Sequence, residues 1–262
     1  MAAGRLQCHL NEESDGLKFF FQRVQVSRRL LVTLTRLALR RDIEPWQVLP
    51  IEKRGNGLSS TFIVGRRLVI KVRNELAGDA NRTLYNGRFG GLFFYEKDEQ
   101  RLRKEFRLHA LLHEKGLSPE AVFLTPEAMV TRYVASSDCL TRRSRLSKAD
   151  IRRIFDVILS LRENGIFHGD LNLGNFLPQN SRFLVTDFES SREAESPKLY
   201  TIDLVIFVEK LHRFHREMFL SSAGDIRLEL VDRRLMNTEL TDVAATYLLA
   251  EAYDAIFGAA VR

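Results

Sequence analysis

A chain of 262 residues, 45% apolar and 28% charged, is long enough to bury one large core or two lobes, and this composition excludes a disordered or fibrous protein. Its formal charge of +6 points to anionic company (nucleotide, nucleic acid, acidic lipid or phosphorylated substrate) without choosing among them. Cys8 and Cys139 form no metal or disulfide pattern and fit a reducing compartment. The amino terminus lacks a signal peptide's apolar run and no segment reaches the length of a membrane span, so a cytoplasmic location is expected.

Residues 1–21 read as a polar arm ending in Phe19-Phe20-Phe21. The spacing predicts a helix over Ser27–Arg41, with Leu30, Leu31, Leu34 and Leu37 on one face and Arg29, Arg36 and Arg40 opposite. Such a helix has two uses: a basic-surfaced element packed on its own domain, or peripheral contact with anionic lipid through residues 27–41. Strands are expected at Leu49–Ile51, Ser60–Val64 and Arg67–Val72, the first two joined by a tight turn at Gly55-Asn56-Gly57. The Asn-, Gly- and Arg-rich stretch 74–91 reads as an inserted excursion.

Helical periodicity returns over Glu96–Glu114, with stop signals at Gly116 and Pro119. Two further strands are expected at Val122–Leu124 and Ala128–Val134, followed by a polar, basic connector over Ala135–Arg145. Ser147 and Asp150 form an S-x-x-D capping box that opens a helix ending near Gly165. Its buried face is Ile151, Ile154, Phe155, Ile158 and Leu161. Tyr200–Phe214 and Leu240–Phe257 add two more core helices.

The chemistry concentrates in His168-Gly169-Asp170-Leu171-Asn172-Leu173-Gly174-Asn175 and in Asp187-Phe188-Glu189. Each polar signature follows an apolar run, and the spacing suits one carboxylate that orients an attacking hydroxyl while an amide and a second carboxylate hold magnesium on a nucleotide's phosphates. Asp170 is the candidate hydroxyl-orienting base. Asn175 and Asp187 are the candidate metal ligands, since magnesium favours hard oxygen donors. His168 is counted with the catalytic group as the residue that holds Asp170 and Asp187 in register. Upstream, Lys71 in Val69-Ile70-Lys71-Val72 is placed to pair with nucleotide phosphates, and Glu105 on the following helix to orient it. Backbone amides of Gly55, Gly57, Ser59 and Ser60 can cover phosphates, although Ser60 stands where a third glycine is expected. Tyr133, where the connector begins, is a further candidate nucleotide contact. A G-x-x-x-x-G-K-[ST] loop is absent, and Ala110 stands where an H-E-x-x-H zinc site between His109 and His113 needs glutamate.

Over about residues 50–214 this arrangement resembles the protein-kinase-like superfamily. The resemblance implies an α+β, two-lobed fold, with a small, mostly antiparallel N-lobe sheet carrying one main helix and a mainly helical C-lobe. It divides the chain into an arm and basic helix (1–45), a kinase-like N-lobe (46–134) and a C-lobe (135–262). It also implies ATP and Mg2+ as cofactors, and a brace on the catalytic loop from Asp203 in a later helix. Glu189 departs from the Asp-Phe-Gly pattern. Gly169 stands where ordinary protein kinases carry arginine, and Asn172 where they carry lysine. Little chain separates Asp187 from Asp203, and no Ala-Pro-Glu follows. In these respects the chain is most similar to bacterial lipopolysaccharide core kinases acting on Kdo or heptose at the cytoplasmic membrane face. Next come the compact Bud32 and Rio-like atypical protein kinases, then other small-molecule kinases. A catalytically inactive interaction protein is the non-enzyme alternative, and no nucleic-acid motif accompanies the charge.

Overall fold

The computed structural model describes residues 4–10, 17–22, 28–40, 49–54, 59–73, 98–135, 140–193 and 196–258. The nucleotide-covering turn at Gly55 and Gly57, the 74–91 excursion and Cys139 lie outside them. The described residues fall into two compact units. The first holds those up to 73 with 98–110 and 119–135, and the second holds 111–118 and those from 140 onward.

In the first unit, seven strands pair into an antiparallel sheet. Its strands are β1 (Gly4–Leu10), β2 (Leu17–Gln22), β3 (Leu49–Arg54), β4 (Ser59–Val64), β5 (Leu68–Arg73), β6 (Ala121–Leu124) and β7 (Ala128–Arg132), in the order β2-β1-β3-β4-β5-β7-β6. The polar arm expected over residues 1–21 is therefore corrected. Its aromatic run has high strand propensity, and β2 pairs along its length with β1, which joins the sheet by pairing Gly4 with Ile51. Helix α1 (Arg28–Leu39) lays Leu30, Leu34 and Leu37 against Phe62, Val64, Leu68, Ile70, Val72, Ala128 and Val130, all fully or nearly fully buried. Burial of each leucine stabilises the unit by about 1.5–3 kcal/mol. The apolar face of α1 is thus committed to the core, and the exposed Arg36 and Arg40 lie outside it.

Helix α2 (Asp98–Glu114) buries Leu102, Glu105, Leu108, His109 and Leu112. In the second unit, α3 (Lys148–Glu163) begins with a complete capping box: Ser147 Oγ accepts from the Asp150 amide and an Asp150 oxygen accepts from the Ser147 amide. Four helices follow: α4 (Pro197–Phe214), α5 (Arg216–Asp232), α6 (Thr238–Tyr247) and α7 (Ala250–Phe257). The single helix expected over Leu240–Phe257 is two, because Leu248 and Leu249 are extended. The sequence reading has no counterpart to α5, whose Leu220, Leu228 and Val231 are exposed and blur its periodicity. Buried Glu229 of α5 ties it to α3 through Arg152 at 3.1 Å. Short strands β8 (Ile166–Phe167), β9 (Phe176–Gln179), β10 (Arg182–Val185) and β11 (Arg192–Glu193) pair as β9–β10 and β8–β11. They carry the polar signatures at their ends.

Candidate functional site

In the first unit β5 and α2 bring Lys71 and Glu105 together. Lys71 Nζ donates to both carboxylate oxygens, at 2.9 and 3.0 Å. The two side chains are 10% and 1% exposed, so the pair is desolvated and its partners are held firmly. Alternation along β5 turns Lys71 away from the face that buries Ile70 and Val72 against α1. Ser60 pairs with Val72 and Thr61 with Lys71, which sets the two candidate serines of β4 beside the lysine's strand. Tyr133 is half-buried, and its amide donates to Arg67 O at 2.9 Å. His109, one turn beyond Glu105, is a buried core histidine with Nε2 4.0 Å from the Glu105 carboxylate. His113 is exposed and bonds the Ser118 carbonyl at 3.1 Å.

The second unit assembles the residues of the 168–175 loop around Asp203 of α4. One Asp203 oxygen accepts from the His168 amide at 2.7 Å and the other from the Gly169 amide at 2.8 Å. Burial lifts the pKa of Asp203 to about 7, against the pull of those two amides. Gly169 is required here for two reasons: its φ is +79°, and a Cβ would meet the Ser190 carbonyl oxygen at 2.8 Å. An arginine at this position does not fit.

His168 is fully buried and both ring nitrogens face backbone groups. Nδ1 accepts from the Asp170 amide at 3.3 Å, so Nε2 carries the hydrogen and donates to the Thr186 carbonyl at 3.1 Å. A neutral imidazole used in this way links the loop bearing Asp170 to the residue preceding Asp187. It has no nitrogen left for proton transfer.

Asn175 Nδ2 donates to the Asp170 carbonyl at 2.8 Å, which fixes the amide and leaves Oδ1 as its acceptor end. Asp187 is half-buried and left-handed, with φ 68° and ψ 62°, at the start of the turn Phe188–Ser190. A neutral amide oxygen and a carboxylate are a donor set that fits magnesium. Asp170 itself is pushed up to about pKa 6, chiefly by burial and further by Asp187 and Glu189. Lys210 of α4 opposes this by donating to Asp170 Oδ1. Lys210 is the side chain at this site that sequence reasoning missed. The available signal was its place seven residues after Asp203, on the same face of one helix.

No family model and no curated protein matches the chain. Among solved structures, the chain is similar to the Rio2 kinase of Chaetomium thermophilum in its ADP/Mg2+-phosphoaspartate complex. Identity is 17% and the TM-score 0.49, over 96% of this chain and 74% of that one. A second similarity is to APH(2")-IIa in a ternary complex with streptomycin and ATP, at 14% identity and a TM-score of 0.42, over 86% of this chain and 100% of that one. The roles of the side chains rest on the geometry above. The element order, an antiparallel N-terminal sheet with helices α1 and α2 followed by a mostly helical C-terminal region, is of the α+β class expected from the sequence.

Proposed function

We propose that the chain is a Mg-ATP-dependent kinase that transfers the γ-phosphoryl group to a sugar hydroxyl of lipopolysaccharide core, on Kdo or heptose. The observation that carries a kinase reading is the loop built on Asp203, which orders Asp170 and Asn175 within one hydrogen-bonded frame. In this reading Asp170 accepts the hydrogen of the attacking hydroxyl. The acceptor oxygen bonds to the γ-phosphorus as the bond to the β–γ bridging oxygen breaks, and ADP leaves with that electron pair. The buried Glu105 holds Lys71 for the α- and β-phosphates. Asn175 Oδ1 and Asp187 would hold magnesium, which when bound offsets the charge of the phosphates. The short stretch between Asp187 and α4 leaves little chain to dock a peptide, which favours a compact acceptor such as a sugar.

Asp170→Asn keeps the volume and removes the charge. It should lower turnover roughly 10²- to 10⁴-fold while Mg-ATP binding persists. The assay is transfer from γ-labelled ATP to purified lipopolysaccharide core, to candidate proteins and to free sugars. Label on a protein and none on core would replace the sugar acceptor with a protein and leave the kinase reading standing.

The acceptor class places the enzyme at the cytoplasmic face of the inner membrane. With Leu30, Leu34 and Leu37 buried, the contact α1 offers lipid is one of charge; Arg36 is exposed, and so is Arg40 just past the helix, whose guanidinium also lies over the Phe123 ring. Each basic residue near an anionic surface contributes about 1 kcal/mol at low salt. Vesicle co-sedimentation that is insensitive to salt and to neutralising both arginines would remove this contact.

A further inference from the structure

Asp170 carries the proposed transfer, and its surroundings work against a carboxylate. Asp187 and Glu189, from the segment after β10, act on it with like charge, and burial adds to the penalty. Asp203 of α4 lies behind the same loop and His168 faces it as a neutral ring. Asn172, two residues along, offers no cation. Its amide is spent within the loop, on the Asp170 carbonyl at 3.3 Å and the Gly174 amide at 2.9 Å.

Lys210 comes from outside the loop. Asp203, Phe207 and Lys210 recur at i, i+4 and i+7, so they share one face of α4. Asp203 holds the start of the loop, and the Phe207 ring stands edge-on to Phe176 just past its end, with centroids 6.0 Å apart. The helix face is therefore anchored at both ends of the loop. The Lys210 side chain is only 12% exposed, so its bond to Asp170 Oδ1 is no freely solvated surface pairing.

We infer that Lys210 is a positioning residue for phosphoryl transfer: its ammonium holds Asp170 through Oδ1 so that Oδ2 meets the acceptor hydroxyl in a single orientation. This rests on the reading of Asp170 as the hydroxyl-orienting carboxylate. The group that moves is unchanged: the hydroxyl oxygen gains the γ-phosphorus, ADP departs with the bridging-oxygen electron pair, and the hydroxyl proton passes to Oδ2. Lys210 keeps its own protons throughout.

The test compares Lys210→Met, Lys210→Gln and Lys210→Arg in γ-labelled ATP transfer to purified lipopolysaccharide core, to water, and to any protein that wild type labels. Binding of a fluorescent Mg-ATP analogue and thermal melts accompany each variant. Lys210→Met should lower kcat roughly 10- to 100-fold, as expected for a misplaced catalytic group. The KM for ATP should stay within about twofold, because the interaction acts on the transfer step. Lys210→Arg should recover most of the loss, and Lys210→Met in an Asp170→Asn background should add nothing. If the Met variant does not fold, the contrast between Gln and Arg carries the same test. Wild-type kcat in Lys210→Met, or an Arg variant no better than Met or Gln, would overturn the inference while leaving the kinase reading intact. Wild-type protein that binds Mg-ATP and labels nothing would overturn both.

Discussion

Each unit holds a lysine–carboxylate pair, and under the proposed function the two pairs do opposite jobs. In the first unit Glu105 grips Lys71 with both oxygens in a nearly dry setting. There the carboxylate orients the lysine, which is the member meant for phosphate. In the second unit Lys210 takes one oxygen of Asp170, among the like charges of Asp187 and Glu189. There the lysine orients the carboxylate, which is the member meant for the acceptor. In that reading the same two functional groups give an anchored cation in one place and an aimed base in the other.

The first way to break this comparison is to remove the orienting member of the first pair. Glu105→Ala removes the carboxylate that grips buried Lys71 and should cost about 3–5 kcal/mol in urea unfolding, with Mg-ATP affinity falling alongside. A cost below about 1 kcal/mol would mean that the pair relaxes into water and is no fixed anchor.

The second is pH. With Asp170 raised from 3.8 to about 6, the ionised base required for activity disappears as pH falls through about 6. The acid limb of kcat/KM, which reports the free enzyme, should lie there and drop about tenfold per unit below it. Stability runs the other way. The folded carboxyl holds its proton where the unfolded one has lost it, so its contribution is complete below 3.8 and is lost as pH rises through about 6. Asp170→Asn should flatten that part of the stability profile. An acid limb near pH 4 would show that burial and the neighbouring carboxylates do not act on Asp170 as described.

The smallest effect tests the frame beneath both oxygens of Asp203. Gly169→Ala must relieve a 2.8 Å approach to Ser190 O at a φ of +79°. It should cost about 1–3 kcal/mol in chemical unfolding and lower kcat more than it alters Mg-ATP binding. An alanine variant with wild-type stability and turnover would show that the loop tolerates a shift and that Asp203 does not set its position.

Much of this was legible in the chain because it is local. The capping box of α3, the alternation of β4 and β5, and the leucine face of α1 are patterns within a few residues, where backbone geometry alone dictates which side chains share a face. The polar signatures at 168–175 and 187–189 were visible for the same reason: each chemical unit is short and follows a strand. What the sequence could not decide was every choice made across distance. Glu105 and Glu114 sit on one helix, and only packing makes the first buried and the second exposed. The arm became β1 and β2 because pairing partners, not propensity alone, complete a strand. Helix α5 was hidden because its exposed leucines erase the one-sided pattern that marks a packed helix. The tautomer of His168 follows from backbone groups two and 18 residues away. Lys210 reaches Asp170 across 40 positions. Residue order by itself determined which chemistry the chain can carry; tertiary packing alone decided which lysine, which glutamate and which ring nitrogen stand where it is needed, because desolvation and hydrogen-bond geometry exist only once distant segments meet.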